Sequence, residues 1–145
     1  MMRWKITIEY DGTPFVGWQR QENGFSVQQL VEEAIEKFSA EVVRVQASGR
    51  TDSGVHARGQ VAHFDLTAPR DARAVRDGLN YFLKPHPVSI IEAEAVDETF
   101  NARRSAKERT YLYRILNRRS PAALEAGRVW HVAAPLDVTW MQAGA

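Results

Sequence analysis

The sequence predicts an α+β fold in which an antiparallel sheet carries two helices on one face. Three observations lead there. Segments with a two-residue apolar period and segments with a helical period follow one another as β-α-β-β-α-β. Each helical segment carries a single apolar stripe, which a sheet face can cover. With 145 residues, 44% hydrophobic and 26% charged, the chain has the composition of a globular domain with one core.

Trp4-Lys5-Ile6-Thr7-Ile8-Glu9-Tyr10 alternates apolar and polar residues, the mark of a strand with one buried face. Ser26-Val27-Gln28-Gln29 reads as a capping box that opens a helix. Val27, Leu30, Val31, Ala34, Ile35 and Phe38 then recur at helical spacing, with Glu33 one turn before Lys37. A second strand is expected over roughly 41–47 and a third over roughly 60–66. Pro69 opens a second helix with Val75, Leu79 and Phe82 on its apolar face, and Pro85 and Pro87 end it. A fourth strand fits 88–96. The βαββαβ order is the ferredoxin-like pattern. Residues 97–107 are polar and lack periodicity, which makes them the linker candidate. A further strand is expected within 108–117, with Tyr111, Tyr113 and Ile115 on one face. Leu136 to Gln142 reads as a capped helix just starting.

Charge is uneven. The net charge is +1, yet residues 103–119 hold seven basic side chains against Glu108 alone. That stretch carries +6 and leaves −5 for the rest, a polarity that suits docking on nucleic acid. The chain has no cysteine, so disulfides, thiolate catalysis and cysteine-ligated zinc are excluded within it. No apolar run approaches a membrane span, and the first residues lack a signal peptide's apolar segment. A cytoplasmic location is the expected default.

The most informative stretch is Ala47-Ser48-Gly49-Arg50-Thr51-Asp52-Ser53-Gly54-Val55-His56-Ala57. It sets a cation and a carboxylate two residues apart, in a glycine-bracketed turn between two strands. A catalytic loop profits from such a rigid setting. A cation beside Asp52 would favour the ionised acid, and a positioned carboxylate can act as nucleophile or general base. The plainer reading is an Asp-Ser-Gly turn with a local ion pair. His56 and His63 with Asp65 raise a metal site, but their spacing fits no familiar zinc pattern, and a hydrogen-bonded core or rim histidine is expected at 63. No metal is expected.

Gly49-Arg50-Thr51-Asp52-Ser53-Gly54-Val55-His56-Ala57 with Gly59-Gln60-Val61-Ala62 resembles the signature of the tRNA pseudouridine synthase A family. Two more blocks similar to that family lie in order. The first is Tyr10-Asp11-Gly12-Thr13 with Phe15 and Gly17-Trp18-Gln19. The second is Phe100-Asn101-Ala102-Arg103 with Ala106 and Arg109-Thr110-Tyr111-Leu112-Tyr113. The resemblance runs from about Trp4 to Trp130. Ser53 departs from it, since alanine is common after the aspartate.

The resemblance implies a ferredoxin-like synthase domain over 1–104. Residues 105–145 would begin a second half of similar size, so the chain reads as an N-terminal portion. It implies an isomerase that acts without cofactor on uridine 38, 39 or 40 of the tRNA anticodon stem-loop and works as a homodimer. Asp52 would be central, attacking the sugar C1′, adding to the base at C6, or removing a sugar proton. Arg50 would hold Asp52 ionised or fill the space left by a flipped nucleotide. Tyr111 would pack on the uracil. Arg103, Arg104, Arg109, Arg118 and Arg119 are the candidate RNA contacts. Two other readings compete: a non-catalytic ferredoxin-like RNA-binding module, which has no use for a buried Arg50–Asp52 pair, and a metal-dependent hydrolase built on His56, His63 and Asp65.

Overall fold

The computed structural model of the chain describes residues 1–144. They form two compact units that divide after Lys107.

The first unit runs β1 (Met2–Tyr10), α1 (Val27–Ser39), β2 (Gln46–Ala47), β3 (Ala57–Leu66), α2 (Ala72–Leu83) and β4 (Val88–Val96). Its sheet has the order β2-β3-β1-β4 with every neighbour antiparallel, which is the ferredoxin-like arrangement expected. β1 and β3 are the two interior strands, and the alternation of β1 is carried through in full: Trp4, Ile6, Ile8 and Tyr10 are all buried. They meet Val27, Leu30, Val31, Ala34 and Ile35 of α1 and Val75, Leu79 and Leu83 of α2 in one continuous core.

The start of α1 is tied to the loop after β1. Ser26 Oγ accepts the Gln29 N–H at 3.1 Å. The carbonyls of Gly17 and Trp18 take the N–H groups of Val27 and Gln28 at 3.1 and 2.9 Å. Three of the helix's otherwise unpaired donors are thereby satisfied. Only half of the expected capping box forms, since the Gln29 amide donates to Glu33 instead. Glu33 is thus engaged one turn early, and among the described residues no ion pair joins it to Lys37.

The second strand is much shorter than expected over 41–47. Only Gln46 and Ala47 pair, with His63 and Ala62. Val45 explains the loss: its N–H donates to Glu32 Oε2 at 2.9 Å and its carbonyl accepts from Gln28 Nε2 at 3.0 Å. Side chains of α1 thus take the backbone bonds that a strand neighbour would need. β3, in turn, starts three residues earlier than expected, and α2 starts at Ala72 rather than directly at Pro69.

The second unit contains β5 (Ile115–Asn117) paired in parallel with β6 (Trp130–Val132), and α3 (Val138–Gly144). The strand expected within 108–117 is thus three residues long. Tyr111 and Tyr113 lie outside it and are exposed. Alternation in sequence marks a face, but a strand also needs a neighbouring strand for its backbone groups. Among the described residues, no strand runs beside 108–113. At the far end, Asp137 Oδ1 caps α3 by accepting the Trp140 N–H at 3.1 Å. No described helix is long and apolar enough to cross a membrane.

Candidate active site

The loop between β2 and β3 is held from both sides. On one side, Gln60 of β3 is buried, with its amide spent on the loop's first residues. Nε2 donates to the Gly49 carbonyl at 2.6 Å, and Oε1 accepts from Ser48 Oγ at 2.9 Å. The Tyr10 hydroxyl, at the end of β1, lies 2.7 Å from Thr51 Oγ1. Burial pushes the Tyr10 phenol above its usual value, and hydrogen bonding to Thr51 and Gln60 offsets part of that rise.

On the other side lies the loop that follows β1. Trp18 N–H donates to the Thr51 carbonyl at 3.0 Å, and Gly12 N–H donates to His56 Nδ1 at 2.9 Å. Ser53 Oγ and Gly54 N–H both donate to the Phe15 carbonyl at 3.3 Å. The two backbones touch where glycines allow it. A Cβ on Gly12 would sit 1.9 Å from the Val55 carbonyl oxygen, and one on Gly17 2.5 Å from that of Thr51. Trp18, from the first of the family-like blocks, is buried in the core beside Tyr10.

From this support Arg50 and Asp52 face an open cavity of about 350 Å3, together with Thr51, Ser53, Gln19, Gln21 and Asn23. Both charged residues are exposed, and among the described residues no ion pair joins them. The buried pair expected from sequence is therefore absent. Water solvates both charges in the open cavity, and a contact worth about 0–1 kcal/mol there does not hold a long arginine side chain in place. The carboxylate thus stands at the cavity wall with its backbone fixed. The Val55 N–H, donating to the Asp52 carbonyl at 3.1 Å, closes the turn.

The remaining residues named from sequence fall in two places. Arg103 and Arg104 belong to the first unit and are exposed. Their segment is no loose linker, contrary to expectation. Arg3 grips Asp65 with two bonds of 2.8 and 3.0 Å and also donates to the carbonyls of Glu98 and Phe100. Ala102 is buried, and its N–H donates to His63 Nδ1 at 3.0 Å. Asn101 Oδ1 accepts the N–H groups of Arg103 and Arg104. A polar sequence without period hides this anchoring, because backbone groups and one alanine carry it. Tyr111, Arg109, Arg118 and Arg119 belong to the second unit, all exposed. The Arg118 guanidinium donates to the carbonyls of Ser120 and Pro121 at 3.0 Å.

His63 is thus a hydrogen-bonded, buried histidine. Burial, with Arg3 adding to it, lowers its pKa below 6.5. The folded state then binds fewer protons at this site than the unfolded state, so stability falls as pH drops through about 6.5. Protonation at Nδ1 would also set a proton against the Ala102 N–H. His63→Asn keeps a short acceptor and cannot titrate. Urea unfolding of the full-length protein at pH 7.5 and 5.5 should show a smaller stability difference for the variant; equal differences would remove His63 as the source.

The tRNA pseudouridine synthase family model matches residues 6–104, which takes in both loops and most of the sheet that holds them. The chain belongs to that family. Curated relatives named tRNA pseudouridine synthase A are similar over the whole chain, 59% identical in Rhodospirillum centenum and 54% in Paramagnetospirillum magneticum. The relative in Ehrlichia canis is 56% identical over 141 residues. The chain spans 59%, 57% and 58% of the length of these three proteins.

The sequence reading missed Tyr10, Gln60, Gln19, Gln21 and Asn23 as parts of this site. Tyr10 looked like the last apolar residue of an alternating strand. The three cavity amides sit in a loop whose path is not written in any period. Tyr10, Gln19 and Gln60 do lie in the family-like blocks, without a role being assigned to them there, and Gln60 carries a further signal as a polar residue on the inward side of a strand.

Proposed function

We propose that the protein of which this chain forms part isomerises uridine to pseudouridine in the anticodon stem-loop of tRNA, at positions 38, 39 and 40, with Asp52 as the acting group. One observation carries the reading: within a domain of this family, an exposed carboxylate at a cavity wall sits on a loop fixed from two sides. Detaching uracil at N1 and reattaching it through C5 exchanges no electrons. What it needs is a base taken out of its stack, a positioned carboxylate, and acceptance of the C5 proton. Attack at C1′, addition at C6 and removal of a sugar proton all use the same ionised Asp52.

Arg50, on the same cavity, meets the RNA and fills the space of the flipped nucleotide, a role its lack of an ion pair with Asp52 leaves open to it. Tyr111 supplies an exposed aromatic face for the uracil. Its 65% exposure fits a ring awaiting a partner better than a core residue. The relatives' names and the basic stretch support tRNA as substrate, and a homodimer in the cytoplasm is the proposed working form. The test is incubation of the full-length protein with unmodified tRNA, followed by mapping of pseudouridine. Product at 38–40 supports the reading; binding without product at any position favours the RNA-binding module instead.

Arg103, Arg104, Arg118 and Arg119 contact phosphates in this reading. Replacing all four should weaken binding to every tRNA alike. Each lost contact should flatten the log–log salt dependence by roughly one unit. Filter binding between low and moderate salt measures the slope, and an unchanged slope would route the tRNA elsewhere. Arg118 should contribute less than Arg104 or Arg119, because its side chain already bonds the Ser120–Pro121 turn.

A further inference from the structure

We propose that Tyr10 is a positioning residue for Asp52, acting through its hydroxyl on Thr51. The inference rests on the proposed function and deepens it.

Among the described residues, no ion pair holds the Asp52 carboxylate at the cavity wall; its placement comes from the residues on either side of it, with Ser53 and Gly54 held by the Phe15 carbonyl on the far side. Ser48 and Gly49 are fixed by Gln60. Thr51 is fixed twice: its carbonyl takes the Trp18 N–H, and its hydroxyl meets Tyr10 at 2.7 Å. Tyr10 is itself fixed. It closes β1, is 3% exposed, and its ring lies 6.4 Å from that of Trp18. A rigid strand end thus touches the loop one residue from the acting carboxylate. Apolar burial alone does not account for a phenol there, since phenylalanine would fill the core without a hydroxyl to satisfy.

The contact orients more than it stabilises. A hydroxyl pair at the end of a well-packed strand adds little to the fold. Losing it frees the Thr51 side chain and lets the Asp52 backbone drift, and a displacement of about 1 Å can cost on the order of 100-fold in rate.

The experiment is single-turnover and steady-state assay of full-length Tyr10→Phe on unmodified tRNA. The kcat should fall about 10- to 100-fold, with KM and tRNA affinity within twofold of wild type and a Tm loss of no more than about 4 °C. Thr51→Val removes the same contact from the other side and should lower kcat comparably. The double variant should be no slower than the slower single one, because the two hydroxyls act as one unit. A merely structural role predicts unchanged kcat well below Tm. Wild-type kcat in folded Tyr10→Phe, or losses that multiply in the double variant, would overturn the positioning role alone. Absence of turnover in the wild-type protein would overturn the functional reading and this inference with it. Should Tyr10→Phe fail to fold, wild-type kcat in Thr51→Val overturns the proposal by itself.

Discussion

Asp52→Asn in the full-length protein should abolish pseudouridine formation while leaving the fold and tRNA binding intact. Asparagine keeps the size of the side chain and loses the charge, and every route open to this carboxylate needs the anion. The substitution is structurally mild. The side chain is exposed at the cavity wall, among the described residues it makes no ion pair, and the turn is closed by the Asp52 backbone carbonyl rather than by its carboxylate. Removal of a central catalytic group typically costs a factor on the order of 10^4 or more in kcat. Release of tritium from C5-labelled tRNA gives the rate, and circular dichroism with filter binding checks fold and affinity. Near wild-type release by the folded variant would remove Asp52 from the chemistry.

Much of the first unit could be read from its sequence, for a specific reason. In β1 and α1 the apolar period and the elements that cover it agree, so Trp4, Ile6 and Ile8 or Val27, Leu30 and Val31 announce their own burial. Periodicity reports which side of a segment is apolar. It does not report where the backbone's hydrogen bonds go. Residues 41–45 look like a strand, yet Val45 is tied instead to Glu32 and Gln28 of α1. Residues 97–107 look like a linker, yet Glu98, Phe100 and Ala102 are pinned by Arg3 and His63. In both cases the deciding partner is a side chain distant in sequence.

The site divides in the same way. The motif around Asp52 stood out because its residue types are unusual together, and the two glycine-bearing loops were visible as blocks. Their contact was not. Nothing local in Gly12 or Gly17 says that another backbone passes within van der Waals reach, and nothing in Arg50-Thr51-Asp52 says that the charges stay apart while Thr51 is the residue held. Spacing two residues apart suggested an ion pair; an open, solvated cavity removes most of the reason to form one.

The contact between the loops makes Gly17 the second position of large effect. Its φ is +102°, a conformation that L side chains rarely adopt. A Cβ there would also lie 2.5 Å from the Thr51 carbonyl oxygen, with the Asp52 carbonyl carbon and the Ser53 nitrogen at 3.2 and 3.3 Å. Neither loop can step back cheaply. The Gly17 carbonyl caps Val27 of α1, and the next residue's N–H holds the Thr51 carbonyl. Gly17→Ala should therefore cost about 2–4 kcal/mol, combining left-handed strain with backbone overlap. In the full-length protein that is a Tm loss of roughly 6–12 °C. The rate should drop on the order of 100-fold even below Tm, because the overlap bears on Asp52 itself. Gly54→Ala separates the two causes. Gly54 has φ +80° but open space where its Cβ would go, so only strain of about 1–2 kcal/mol applies. Thermal unfolding of both variants, with turnover measured at 25 °C, gives the comparison. Equal losses in the two would mean that the loops part freely and that their contact does not fix the carboxylate.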